Sequence, residues 1–239
     1  MITSVTNDKI KYLLSLQKRK NRDEANEFII EGPHLLEEAL KRNLVKSIFT
    51  NTDDYNHLEN VNLVSDAVMG KITSVVEPQG VVAIVKKPEV SVPGHRLLML
   101  DRIQDPGNFG TLLRSALAFG FDTIIYEDCV DPYNPKVLRS TQGAIFQVNL
   151  IEANLIKFMD DNPKYIFYGT ALKDAFSLTT VPRKDADVAI ILGNEGSGVR
   201  PDILVKTHLN IFIDIDTVES LNVAIAGSII MYHLRRLQP

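Results

Sequence analysis

The chain carries almost no thiol chemistry. Cys129 is its only cysteine, so an intramolecular disulfide is excluded and a thiolate metal cluster is not expected. His34, His57, His95, His208 and His233 show no metal-ligand spacing, and no metal is expected. No apolar run approaches the roughly 18 residues of a membrane-spanning helix. The opening Met1-Ile2-Thr3-Ser4-Val5 lacks the charged-then-apolar layout of a signal peptide. A cytoplasmic protein is the expectation. No G-x-S-x-G nucleophile motif occurs, and no glycine loop is followed by a Lys-Ser/Thr pair. No internal repeat or low-complexity segment is visible.

What is present is a globular composition. The chain has 239 residues, 45% of them hydrophobic, enough for one large or two smaller domains with a real core. The net charge of -4 does not advertise nucleic-acid binding. Its distribution is more informative. Residues 1–88 hold 12 basic and 12 acidic side chains, and the remainder hold 14 and 18. Lys9, Lys11, Lys18, Arg19, Lys20 and Arg22 crowd the N-terminus. They read either as phosphate contacts or as the solvated face of a helix.

Periodicity places a first helix from about Asp8 to Arg22 with Ile10, Leu13, Leu14 and Leu16 inward. Strands and helices then alternate to Val85. Lys86 to Gly94, with two prolines and a glycine, reads as a linker. A second series opens with the strand Leu97–Asp101 and closes with a helix from about Leu221 to Arg236. Strands alternating with helices predict an α/β protein: a small N-terminal α/β domain over 1–90, and a mostly parallel sheet over 91–239 with helices on both faces.

Three glycine- or asparagine-bearing stretches follow strand ends in the second series, where α/β proteins hold ligands. They are Asn108-Phe109-Gly110-Thr111-Leu112-Leu113-Arg114-Ser115-Ala116, Leu192-Gly193-Asn194-Glu195-Gly196-Ser197-Gly198, and Ser220-Leu221-Asn222-Val223-Ala224. The glycine spacing G-x-x-G-x-G is not that of dinucleotide binders. It fits a close backbone approach to a ligand or simply a tight turn. Glu195 could orient a cationic group or sit in solvent. Arg114 could grip a phosphate or carboxylate with its planar fork, or make a surface salt bridge. Ser220 is placed to cap the last helix, and the Asn222 amide both donates and accepts. Arg139 to Ala144 reads as a helix end with a glycine beyond it.

In this order the motifs resemble the SpoU, or TrmH, family of RNA ribose methyltransferases. Asp131-Pro132-Tyr133-Asn134-Pro135-Lys136 and Gly143-Ala144 are similar to the family too. Phe28-Ile29-Ile30-Glu31-Gly32 resembles the opening of its N-terminal domain, which is similar to a ribosomal RNA-binding protein. The resemblance implies a deep trefoil knot of the SPOUT kind in the C-terminal domain, a homodimer built through it, and S-adenosylmethionine as methyl donor to a ribose 2′-hydroxyl. It implies a catalytic set of Asn108, Arg114, Glu195, Ser220 and Asn222. Cofactor contacts are implied at Leu192, Gly193, Gly196, Ile213, Leu221 and Asn222. RNA contacts are expected at Lys18, Arg19, Lys20, Arg22 and Arg139.

The family mechanism makes Arg114 the activator of the hydroxyl. A guanidinium holds its proton, so a grip on the neighbouring phosphate is the more natural role, with that phosphate or a water taking the proton. Asp214 stands where the family usually has proline, the Ile213–Ser220 loop is slightly short, and His233 replaces a common glutamate. These departures bear on the cofactor pocket. The two-domain layout points to ribosomal RNA as substrate. Transfer RNA, a non-catalytic RNA-binding role and a dinucleotide-dependent oxidoreductase are the alternatives.

Overall fold

The structure is a computed structural model that describes residues 1–75, 77–182 and 186–235. Its elements run α1 (Asp8–Ser15), α2 (Arg19–Ala25), β1 (Glu27–Glu31), α3 (Pro33–Lys41), β2 (Val45–Thr50), β3 (Val61–Leu63), α4 (Asp66–Ile72), β4 (Val81–Lys86), β5 (Arg96–Asp101), α5 (Pro106–Ala118), β6 (Thr123–Glu127), α6 (Pro135–Thr141), β7 (Asn149–Glu152), α7 (Leu155–Asp161), β8 (Ile166–Thr170), β9 (Phe176–Ser177), β10 (Val188–Gly193), α8 (Pro201–Leu204), β11 (Leu209–Phe212) and α9 (Val223–Leu234). The expected end of the last helix at Arg236 lies outside the described residues.

Contacts divide the chain into two compact units. The first holds Met1–Pro88 and, unexpectedly, Tyr133–Phe146. Its sheet has the order β1-β4-β2-β3, with β4 antiparallel to β1 and β2 and with β2 parallel to β3. Ile10, Leu13 and Leu16 pack under Phe49, Val82 and Ile84. The first helix is shorter than its apolar stripe suggests. It stops at Ser15, and Arg22 folds back so that its Nη1 donates to the carbonyls of Leu16 (2.9 Å) and Gln17 (2.8 Å). Arg22 is only 5% exposed. Its side chain holds the α1–α2 turn instead of facing an RNA backbone, which corrects that expectation. Tyr133 and Phe146 reach this unit by packing on Phe28, with ring centroids 4.7 and 6.1 Å away.

The second unit, Glu89–Pro132 with Gln147–Pro239, is built on a sheet of order β7-β6-β5-β10-β8-β11-β9 in which every registered pair is parallel. Such strands need cover on both faces. Leu97, Met99, Ile125, Ala189 and Ile191 meet Leu155 and Met159 of α7 and Ile203 of α8 on one face. Alternation turns Leu98, Leu100, Ile190 and Leu192 to the other, where α5 and α9 pack. Gly227 allows that approach. A Cβ there would lie 2.5 Å from Leu192 Cδ1 and 2.6 Å from Leu112 Cδ2. Ser115 and Ser228 hydroxyls meet at 2.7 Å across the helix pair.

The central pair is β5 and β10, in register from Arg96↔Val188 to Asp101↔Gly193. From β5 the chain moves outward through β6 and β7, while β10 lies on its other side. Strand order therefore reverses between β5 and β10, and loops leaving that point form a crevice.

Candidate active site

Two of the three motifs leave the sheet at this reversal. α5 starts at Pro106, earlier than the start at Phe109 that its apolar pattern predicts, because Asp105 caps it by accepting from Asn108 N–H at 2.8 Å and proline suits the first turn. Asn108 thus sits in the first turn of α5. The motif after β10 folds as a closed loop. Asn194 and Gly198 exchange backbone hydrogen bonds of 3.1 and 2.9 Å, and Gly198 adopts φ +68°. Gly193 must lack a side chain, since its Cβ would lie 2.0 Å from Val199 N. Asn194 Oδ1 accepts from Gly196 N–H (3.0 Å) and Ser197 N–H (3.2 Å), and its Nδ2 donates to Arg102 O (2.9 Å).

Glu195 ties this loop to the first motif. Its Oε1 accepts from Asp105 N–H and Asn108 Nδ2, each at 3.1 Å, and its Oε2 accepts from Gln104 N–H at 3.3 Å. Burial alone would raise the Glu195 carboxyl. The Asn108 amide and the surrounding backbone N–H groups outweigh it and hold the group below the usual carboxylate range.

The third motif joins the same chain of bonds. Asn222 Nδ2 donates to Asn108 Oδ1 at 2.9 Å, while Asn222 Oδ1 accepts from Ala224 N–H (2.9 Å) and Ile225 N–H (3.3 Å). Asn222, not Ser220, is therefore the cap of α9, a correction to the sequence expectation. Asn108 is the bridge, donating to Glu195 and accepting from Asn222.

Arg114 is exposed on α5 and makes no ion pair among the described residues. It lies six positions beyond Asn108, about 120° around the axis and about 9 Å along it, so it does not share that residue's face. Ser220 is exposed, Leu192 and Gly193 are buried, and Ile213 and Leu221 are half-buried. Lys18, Arg19 and Lys20 are exposed and Arg139 is half-buried. Arg19 lies 3.6 Å from Asp23 and Lys20 3.7 Å from Glu24, and Arg139 donates to Ser74 Oγ at 2.9 Å.

Sequence reasoning missed the ionic support beneath the loops. Asp101, fully buried at the end of β5, accepts from Arg200 N–H at 2.9 Å. Arg200 Nε lies 2.8 Å from Asp101 Oδ1, an ion pair without hydrogen-bond alignment, and Nη2 pairs with Glu127. Arg102 sits 3.2 Å from Asp101 Oδ1. Their only sequence signal was a charge at or just beyond each of two strand ends and one before Pro201, which reads equally as a solvated loop.

The SpoU rRNA Methylase family profile matches residues 95–232, and an MRM3-like substrate binding domain matches residues 7–83. The chain is 36% identical to the 23S rRNA (guanosine(2553)-2′-O)-methyltransferase RlmP of Bacillus subtilis over 98% of each chain. It is also 36% identical to an uncharacterized tRNA/rRNA methyltransferase of Synechocystis, over 99% of this chain and 94% of that one. An AdoMet-bound rRNA methyltransferase from Sinorhizobium meliloti superposes with a TM-score of 0.85 at 28% identity, covering 98% of this chain and 96% of the other. A catalytic-domain match across more than half the sequence, joined to these near full-length likenesses, places this chain in the SpoU rRNA methylase family.

Proposed function

We infer that this protein moves a methyl group from S-adenosylmethionine to a ribose 2′-hydroxyl of ribosomal RNA. The observation that carries the reading is the Glu195–Asn108–Asn222 chain of hydrogen bonds, which gathers all three motifs at the strand-order reversal. The relative named RlmP acts on a guanosine of 23S rRNA, and we take a large-subunit guanosine as the target here.

The residues present fit the cofactor. Gly198 and Gly193 are glycines for the loop's own sake, but Gly196 is not. It is exposed, and a Cβ there would meet only Asn194 Oδ1, at 3.6 Å. Its missing side chain leaves the loop backbone open to a ligand. Gly196 would hold the cofactor with Leu192, Gly193, Ile213, Leu221 and Asn222, where Ile213 and Leu221 supply half-buried apolar surface beside polar backbone. When bound, the cofactor supplies a sulfonium-activated methyl.

The chain then has two tasks, alignment and proton removal. Asn108 and Asn222 hold each other and fix the first turns of α5 and α9, so their polar groups meet a nucleotide in one geometry. Glu195 is ionised and committed to orienting Asn108 and the Gln104–Asp105 backbone. It therefore acts as a brace and not as the base. Arg114, unengaged, is available to grip the phosphate next to the reactive ribose. The hydroxyl proton passes to that phosphate or to water. Ser220, exposed beside Asn222, helps hold the nucleotide.

The first unit serves as the RNA grip. Lys18, Arg19, Lys20 and Arg139 would contact phosphates, since exposed ion pairs such as Arg19–Asp23 are weak and readily exchanged. We further propose a homodimer. Ile225, Ile229 and Tyr232 of α9 are 54%, 40% and 53% exposed and lie along one helical stripe, which suits a second copy. A trefoil knot in the second unit belongs to the same reading, as does a cytoplasmic location. No helix among the described residues is long and apolar enough to cross a membrane.

The test is transfer of labelled methyl from S-adenosylmethionine to separated large-subunit, small-subunit and transfer RNA from cells lacking the protein. Label in large-subunit RNA is expected. Label confined to transfer RNA would replace the substrate, and no label without cofactor binding would remove the reading.

A further inference from the structure

The first unit holds a cavity of about 360 Å³ between α1 and the start of β2. No motif of the methyl-transfer site reaches it, and its volume falls in the ~300–1,000 Å³ range of small-ligand pockets. Its floor is apolar, made by Phe49 and Ile84, which are 1% and 2% exposed. One wall is the ring of Tyr12, an exposed tyrosine on α1.

That ring is held in place from below. The hydroxyl of Tyr12 donates to Glu27 Oε2 at 2.6 Å, and Glu27 itself is 5% exposed. The other Glu27 oxygen pairs with Lys46, whose Nζ also stands 5.8 Å from the Tyr12 ring centroid. A buried carboxylate thus spends both oxygens on fixing an exposed ring and a half-exposed cation. The register of β2 against β4 shifts between Val45 and Ser47, and such bulges re-aim side chains. Lys9 adds a second cation at the rim, its Nζ on Asn62 Oδ1 at 2.6 Å.

Two polar side chains on the wall, Ser47 and Asn60, make no side-chain hydrogen bond among the described residues. An apolar floor, an oriented aromatic wall, uncommitted donors and acceptors, and cations at the rim are what an unstacked nucleobase with its phosphate requires.

We propose that this cavity captures one flipped-out nucleotide of the RNA substrate, a different one from the nucleotide that is methylated. The base stacks on Tyr12, its edge meets Ser47 and Asn60, and its phosphate meets Lys9 and Lys46. This inference rests on the reading of the protein as an RNA methyltransferase.

The experiment uses the full chain and in vitro transcribed large-subunit ribosomal RNA. Affinity is measured for wild type, Tyr12→Ala, Tyr12→Phe and Asn60→Ala, with thermal melting and S-adenosylmethionine affinity alongside. Loss of one stacked base lowers RNA affinity roughly 5- to 150-fold in Tyr12→Ala. Tyr12→Phe keeps the ring but loses the Glu27 bond that orients it, so it binds RNA less tightly than wild type and more tightly than Tyr12→Ala. Asn60→Ala loses a few-fold, and cofactor affinity is unchanged throughout. Photo-crosslinking of 4-thiouridine RNA to the Tyr12 peptide is the positive signature. Equal RNA affinity in folded Tyr12→Ala, or equal losses in the Phe and Ala variants, overturns the proposal. Wild type that binds no RNA would instead remove the methyltransferase reading itself.

Discussion

Replacing Asn108 by aspartate changes one amide to a carboxylate of the same shape. It keeps the acceptor that takes Asn222 Nδ2 at 2.9 Å but turns the donor facing Glu195 Oε1 at 3.1 Å into a second anion. A hydrogen bond to a charged group contributes about 1.5–3 kcal/mol. Two full carboxylates at this distance repel by a few kcal/mol near a protein surface, and solvent around the exposed Glu195 trims that further. About 2–3 kcal/mol of loop docking should therefore disappear at neutral pH, roughly a 30- to 150-fold loss in kcat/KM.

The deficit has a pH signature. Glu195 normally titrates below the usual carboxylate range. Beside a second carboxylate one member of the pair is pushed up, so the two come to share a proton as pH falls. The shared proton restores a hydrogen bond, and the variant recovers relative to wild type at the acid end. Asn108→Ala, with no titratable group, shows the same loss at every pH. Methyl transfer measured against pH for all three proteins decides the matter. A pH-independent deficit in Asn108→Asp, or none at all, would show that Asn108 does not bridge Glu195 and Asn222 in the working enzyme.

Three further outcomes follow from the geometry. Arg114→Ala should lower methyl transfer about 100-fold or more with S-adenosylmethionine affinity kept within a few-fold, because Arg114 lies about 120° around α5 from Asn108; calorimetry showing lost cofactor binding in a folded variant would refute that placement. Gly193→Ala forces a Cβ into Val199 N at 2.0 Å, so the loop must open; a melting curve should show at least 1–3 kcal/mol of destabilisation, and a cofactor affinity equal to wild type would count against the loop as its site. Deleting residues 1–88 removes Phe28 from Tyr133 and Phe146, exposing two aromatics of about 1.5–3 kcal/mol each. The fragment should bind a hydrophobic dye and aggregate unless Tyr133 and Phe146 are also made polar, and a soluble, dye-silent fragment would contradict the division of contacts.

The α/β alternation, the parallel sheet and the three motifs were legible because each rests on local pattern: strand runs of apolar residues, then glycine or asparagine, then a helical stripe. What was not legible depends on side chains returning from a distance. The stripe Ile10–Leu16 predicts a helix continuing to Arg22, but Arg22 caps the earlier turn and ends it at Ser15. Tyr133–Phe146 lies within the second series by sequence, yet it packs on Phe28, more than a hundred residues earlier. The start of α5 was readable in Asp105-Pro106, a cap followed by a proline, had capping outweighed periodicity. Asn222 displaced Ser220 as the α9 cap because its amide also reaches Asn108, a tertiary reward that propensity alone cannot register. The Asp101–Arg200–Glu127 support joins the ends of β5 and β6 to the cap of α8, so only the fold brings it together.

The central claim is the chemical position of the methyl group. Large-subunit RNA labelled by this protein should be digested to nucleosides and analysed by mass spectrometry, with a parallel alkaline hydrolysis. The account predicts a 2′-O-methylguanosine that survives alkali as a linked dinucleotide and is absent when Arg114→Ala is used. Label on a base, released by alkali as an ordinary mononucleotide, would contradict it.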